Sequence, residues 1–143
     1  MSAEHHRKLE RLYGTARVSQ WYGAAISIAD GQAEVRFPIR PEFHHAANAV
    51  HGSVYFRALD DAAFFAVNSR VEDVLVLTVS FTAHFARPVM NGELHAVGRV
   101  LHSGGRLFLA ESDLFDDHGQ LLSHGSGVFI RSAIKLSPEI GYA

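Results

Sequence analysis

An α+β fold, with a curved antiparallel sheet of about six strands wrapped around one long central helix, is predicted by three features of the chain. The stretch from His51 to about Ser69 is apolar nearly all round a helical wheel. Two short apolar runs precede it on either side of an Asp-Gly turn, and four long runs separated by Gly- and Asn-containing turns come after it. Strands joined by such short turns pair antiparallel, and a sheet with one apolar face must bury that face against another layer, here the helix.

The chain begins with a polar leader over residues 1–20, where Leu9 and Leu12 give a short helix from Glu4 to Tyr13 its apolar contacts. His5 and His6 in that leader read as solvated side chains. Ala24–Ile28 and Gln32–Pro38 flank Ala29-Asp30-Gly31, a hairpin signal. Pro38 and Pro41 end the second strand, and Glu42–Val50 is a loop leading into the helix. Beyond the helix, Leu75–Phe85 alternates with Leu75, Leu77, Val79, Phe81, Ala83 and Phe85 on one face and Thr78, Ser80, Thr82 and His84 on the other. Arg87-Pro88 stops this strand. Asn91-Gly92 opens the strand Glu93–Leu101, Ser103-Gly104-Gly105 the strand Arg106–Phe115, and Asp116–Gly119 the strand Gln120–Arg131. Residues 133–143 read as a loose tail. With no internal repeat or low-complexity tract, residues 1–143 are expected to form a single domain.

Thirteen Lys and Arg against fifteen Asp and Glu, a formal net charge of -2 and scattered basic residues provide no footprint for nucleic acid. The lack of cysteine excludes disulfides, thiolate metal sites and cysteine nucleophiles. No apolar run approaches the length of a membrane span, and a cytoplasmic location without membrane contact is the expectation. Ten histidines include His44-His45 and His51, yet neighbours on an extended segment point to opposite sides and no HExxH-like pair occurs, so no metal site is expected.

At 100° per residue, Val54, Tyr55, Ala58, Leu59, Ala62, Phe65 and Ala66 share the face that packs on the sheet. Asp61 follows Arg57 by four residues and reads as half of a helix-surface ion pair, worth roughly 0.2–0.5 kcal/mol. Asp60 points away from the sheet face among Phe56, Ala63, Phe64 and Val67. A carboxylate there must be paired, hydrogen-bonded or shifted in pKa, which makes it a candidate for chemistry or for a bond to backbone at a subunit contact. A second subunit is the expected cover for that stripe.

The chain resembles the hotdog-fold acyl-CoA thioesterases, and within them the PaaI-like branch related to hydroxyphenylacetyl- and hydroxybenzoyl-CoA thioesterases. The likeness spans about Ala24 to Arg131. It rests on His51-Gly52, the acid nine residues after His51, the strand Thr78–Phe85 with Arg87-Pro88, and the turns Asn91-Gly92-Glu93, Gly104-Gly105-Arg106 and Asp116–Gly119. The resemblance implies a helix enwrapped by the sheet, paired subunits with sites at their interface, Asp60 as nucleophile or general base, and the Gly52 amide as oxyanion donor. Thr78 would help position water, and His51 would hold the entering loop by hydrogen bonds. The chain departs from the family pattern at Ser53, where a second glycine is usual, at Asn48, often Gly, and at His45, often Asn or Gln. His45 or Asn48 would take over orientation of the carbonyl or the water.

The reaction implied is hydrolysis of an acyl-CoA carrying an aryl or a short to medium acyl group. Coenzyme A enters as part of the substrate and no cofactor is required. Ser53 is expected to contact the substrate, Phe56 and Phe64 to line the acyl pocket, and Arg87, Gly104, Gly105 and Arg106 to lie near the nucleotide. The partners expected are the substrate and other copies of the chain, as a homodimer or dimer of dimers. Two alternatives stay open: a non-catalytic acyl-CoA sensor, and a hydro-lyase acting on 3-hydroxyacyl thioesters through His51 and an acid.

Overall fold

The computed structural model describes residues 2–143. Helices α1 (Ala3–Thr15) and α2 (Arg17–Tyr22) lead into strands β1 (Ala25–Ala29) and β2 (Gln32–Pro38). Helix α3 (Gly52–Asn68) is next, and then β3 (Val74–Phe85), β4 (Glu93–Ser103), β5 (Leu107–Phe115) and β6 (Leu121–Lys135). All six strands join one antiparallel sheet in the order β1-β2-β4-β5-β6-β3, the hotdog arrangement with α3 lying across the sheet. The chain neighbours β3 and β4 do not pair. Residues 86–92 carry the chain past the N-terminus of α3 instead, where the Val89 carbonyl accepts from the Val50 amide and the Gly92 carbonyl accepts from the Ile39 amide.

The predicted sheet-facing side of α3 is wholly buried, from Val54 to Ala66. Gly98 on β4 makes the close approach possible, because a Cβ there would stand 2.3 Å from the Ala62 carbonyl group. Ser112 on β5 donates its hydroxyl to the Leu59 carbonyl at 2.7 Å, a second tie between helix and sheet. The opposite stripe is covered differently from the expectation. Ala63 and Val67 are fully buried within the same chain against Val76, Phe108, Ala110 and Phe129, because the sheet curls round the helix. A second subunit is not needed to cover those two residues, and Phe56, 39% exposed, is the large apolar side chain left open on that stripe.

Three further expectations are corrected. The alternation of β3 is interrupted by irregularities between Val74 and Val76 and between Thr78 and Ser80. The first has its extra residues on β6, and the second inserts one residue into β3, so that Val76 and Thr78 before it share the inner side with Phe81 and Ala83 after it. Val76 is therefore buried and Thr78 points toward α3, while Leu77 and Val79 stand 44% and 58% exposed. His5 and His6 are buried rather than solvated. His5 Nε2 and His6 Nε2 lie 2.9 and 3.3 Å from the carbonyls of Asn68 and Ser69, the orphan acceptors at the end of α3. Residues 133–143 are also structured: β6 runs to Lys135, a 3-10 turn spans Pro138–Ile140, and Tyr142 Oη lies 2.8 Å from His5 Nδ1. Among the described residues no helix is long and apolar enough to cross a membrane.

Candidate active site

Two chemically distinct features sit at different levels of α3. At its start, His51 is the N-cap. Its Nδ1 accepts the Ser53 amide at 3.0 Å and lies 2.8 Å from Ser53 Oγ. This satisfies one of the orphan amides of the first turn. The Gly52 amide has no hydrogen-bond partner among the described residues, and Gly52 lines a cavity of about 360 Å³ together with His45, Tyr55, Phe85, Arg87 and Pro88. An unpaired amide at the positive end of a helix, facing a cavity, is suited to receive a developing negative charge.

The loop ahead of α3 brings His45 to the same cavity, with its ring centroid 6.5 Å from that of His51. Its Nδ1 accepts the Ala47 amide at 3.0 Å, which leaves Nε2 free to meet a ligand. Asn48 lies outside the cavity lining. It adopts φ 65°, a left-handed conformation that Asn tolerates better than most residues, and so shapes the turn between His45 and Ala49. Of the two residues expected to replace the usual polar orienting group, the structure brings His45 to the Gly52 cavity and makes Asn48 part of the loop geometry.

Asp60 lies eight residues beyond Gly52. Its Oδ1 accepts a hydrogen bond from Thr78 Oγ1 at 2.9 Å. Burial pushes its carboxyl up to about 6. The Thr78 hydrogen bond opposes that rise, and the neighbouring Asp61 charge adds to it. Asp60 borders a second, more apolar cavity of about 210 Å³ between α3, β3 and the N-terminal helices. At a rise of 1.5 Å per residue, the eight-residue separation puts Asp60 and the Gly52 amide roughly 12 Å apart along one helix. One carbonyl group cannot meet both from the same chain.

Asp61 is the structural carboxylate, in a deeper setting than a surface pair. Arg57 Nε lies 2.8 Å from its Oδ2, Tyr13 Oη donates to the same oxygen at 2.7 Å, and the Arg57 and Asp61 side chains are only 15% and 17% exposed. Burial is the largest influence on Asp61 and raises its pKa, against the pull of Arg57 and Tyr13. Burial and the adjoining carboxylate likewise hold the Tyr13 phenol well above its ordinary range. Because loss of one partner strands a buried charge, Asp61→Ala is expected to cost about 3 kcal/mol of unfolding free energy, several times the worth of an exposed pair. Urea unfolding of the variant checks this. A loss below about 0.5 kcal/mol, the worth of an exposed pair, would contradict the buried network.

Among the residues expected near the substrate, Phe64 borders the Asp60 cavity and Arg87 the Gly52 cavity. Phe56 packs edge-on against Phe81 with centroids 5.4 Å apart, and Ser53 is exposed beside His51. Gly104, Gly105 and Arg106 form the β4–β5 turn and line neither cavity. The Gly104 amide donates to the Leu107 carbonyl and Arg131 Nε donates to the Gly105 carbonyl. Sequence reasoning missed the contribution of the N-terminal helices, whose Leu12, Tyr13, Ala16 and Val18 enclose the Asp60 cavity. The run Val18-Ser19-Gln20-Trp21-Tyr22 beyond Gly14 is the available signal that the leader contains a second packed helix. No group of three or more His, Cys, Asp or Glu among the described residues is arranged to hold a metal ion.

Comparison with known proteins adds a family match. The sequence model of the thioesterase superfamily matches residues 47–123, a span holding His51, Gly52, Asp60, Asp61 and Thr78. A Mycobacterium tuberculosis protein named "Putative esterase Rv1847" is 28% identical over 97 residues, covering 65% of this chain and 69% of that one. Conserved protein PA5202 from Pseudomonas aeruginosa superposes with a TM-score of 0.79 at 27% identity, covering 85% of this chain and 98% of that one. The E. coli PaaI protein from the phenylacetic acid degradation operon superposes with a TM-score of 0.86 at 20% identity, covering 95% and 99%; at that identity the likeness is one of fold.

Proposed function

The chain belongs to the thioesterase superfamily, and from that membership we propose that it hydrolyses an acyl-CoA thioester to the free acid and coenzyme A. The observation that carries this reading is Asp60, a partly buried carboxylate held by Thr78 and bordering an apolar cavity, with no cation among the described residues bonded to it. As general base, Asp60 takes a proton from water as the water oxygen attacks the thioester carbon. As nucleophile, its own oxygen attacks and water later cleaves the anhydride. In either route the carbonyl oxygen gains the electron pair, the Gly52 amide stabilises it, and collapse breaks the C–S bond; in the general-base route the proton held by Asp60 passes to the departing thiolate, and in the nucleophilic route the thiolate leaves before water attacks the anhydride and takes its proton from solvent. Thr78 fixes Oδ1 and so aims Oδ2 at the reacting atoms. Arg87 on the rim of the Gly52 cavity offers positive charge to the phosphates of coenzyme A.

The roughly 12 Å between Asp60 and Gly52 on one helix supports a working site built jointly by two copies, with Asp60 from one and Gly52 and His45 from the other. Strand β3 supplies a place for the second copy. It is an edge of the sheet, twelve residues long, and exposes Leu77, Val79 and Phe85, the kind of edge that pairs unless it is covered.

Thiol release with Ellman's reagent from a panel of aryl-, short- and long-chain acyl-CoAs tests the reaction, and sedimentation at micromolar concentration tests the assembly. Release from at least one substrate class by a dimer or dimer of dimers is the expected result. Absence of release from the whole panel would overturn the hydrolase reading in favour of a binding module, and a fully active monomer would overturn the two-copy site.

A further inference from the structure

We infer that the pair of N-terminal helices is the specificity-determining wall of the acyl pocket, and that this pocket selects an uncharged apolar acyl group and rejects one bearing a second carboxylate. The inference rests on the thioesterase reading for the position of the carbonyl, which it sets beside Asp60. The cavity leading away from Asp60 holds about 210 Å³, with apolar walls from Leu12, Ala16 and Val18 on the N-terminal segment and from Phe64 and Leu75 on α3 and β3. Its size is below the roughly 300–1,000 Å³ common for drug-sized ligands, so it accommodates the acyl portion and not the nucleotide.

The polar atoms on its walls are engaged with one another. Tyr13 Oη donates to Asp61, Arg57 Nε donates to Asp61, and Arg57 Nη2 lies 3.4 Å from Ser19 Oγ. The guanidinium also lies over the Tyr22 ring, 4.7 Å from its centroid. The Arg57 cation in the lining is therefore already neutralised, and two carboxylates, Asp60 and Asp61, border the same space. An acyl group ending in a carboxylate would meet like charge and lose its hydration without gaining a cation. An apolar acyl group gains from every methylene it buries.

Ala16 is the residue on which the wall can be tested. It links α1 to α2 with φ -65° and ψ 131°, a conformation open to any L-residue, so a larger side chain can be placed there without backbone strain. Binding is measured by calorimetry with ketone analogues of acyl-CoAs, in which a methylene replaces the thioester sulfur so that no turnover is required. In the native protein, affinity is expected to rise roughly fourfold per methylene from the acetyl to the hexanoyl analogue. The succinyl analogue is expected to bind about 100-fold more weakly than the butyryl analogue. Ala16→Phe should lower the hexanoyl-to-acetyl affinity ratio by about tenfold or more, and Arg17→Ala, on an exposed position of α2 outside the cavity, should leave that ratio as it is. Val18→Trp, at a half-exposed rim position, repeats the test should Ala16→Phe fail to fold.

Unchanged ratios in the wall variants, or equal affinity across chain lengths in the native protein, would overturn the pocket assignment even with thiol release intact. Shifted ratios without thiol release from the corresponding thioesters would retain the pocket and overturn the hydrolase reading. Failure of every analogue to bind would overturn both.

Discussion

Asp60→Asn is expected to abolish most turnover while making the folded protein more stable. Asn preserves the shape of Asp and an oxygen to accept from Thr78, but it can neither take a proton from water nor attack a carbonyl. The loss in kcat/KM should be about 10²–10⁴-fold, the range spanned by positioned general bases. Stability moves the other way because the native carboxyl titrates at about 6, raised chiefly by burial. An unfolded Asp titrates near 4, so between about pH 4 and pH 6 the folded state binds more protons and stability falls as the pH rises. At pH 7 the ionised, partly desolvated carboxylate therefore costs up to about 3 kcal/mol, which Asn does not incur. Guanidinium unfolding at pH 7 should show Asp60→Asn more stable than the native chain, with the difference shrinking toward pH 4. The same ionisation governs catalysis: kcat/KM of the native protein should climb with pH through an apparent pKa of about 6, and that acid limb belongs to Asp60. A variant as active as native, or one that is inactive and also less stable at pH 7, would contradict the assignment.

The separate placements of the two adjacent carboxylates are legible in the sequence because helical geometry separates neighbours by 100°. That rotation sets Asp60 in the apolar stripe and pairs Asp61 with Arg57, and the structure keeps both placements. What the wheel does not supply is depth. The Tyr13 hydroxyl that buries the Asp61 pair arrives from 48 residues away. Thr78 shows the same limit from another direction. Strict alternation puts it on the polar face with Ser80 and Thr82, and one extra residue in β3 between Thr78 and Ser80 separates it from them and leaves it facing Asp60. A bulge leaves no mark in an apolar-polar pattern, since an inserted residue is itself an ordinary strand residue. The pairing of β3 with β6 is equally hidden, because turn chemistry reports which strands are sequential and not which are adjacent. His5, His6 and Tyr142 look solvated or loose in the sequence because they are polar or terminal; the carbonyls that organise the two histidines belong to the far end of α3, and Tyr142 pairs in turn with the His5 ring.

The eight-residue interval between Gly52 and Asp60 leads to the second large effect: two inactive variants should restore activity when combined. Gly52 is the first residue of α3, where proline fits the helix and its missing amide costs no intrahelical bond. The preceding His51, at φ -65° and ψ 143°, has the extended conformation that a following proline requires. Gly52→Pro thus deletes the proposed oxyanion donor with the helix preserved, and its Cβ would approach the Phe85 ring at 3.3 Å, an exposed side chain that can yield. Removing one such donor should lower kcat by about 10²–10³-fold. When Gly52→Pro and Asp60→Asn chains are co-refolded, about half of the dimers are mixed, and each mixed dimer holds one site with both defects and one with neither. Activity should return to about a quarter of the native value per total chain, because half of the dimers carry one intact site of two. If Asp60 and Gly52 instead served the same carbonyl from a single chain, every site in the mixture would retain one defect and nothing would be recovered. Thiol release from the co-refolded mixture, compared with the two variants refolded separately, decides between a site built by one chain and a site built by two.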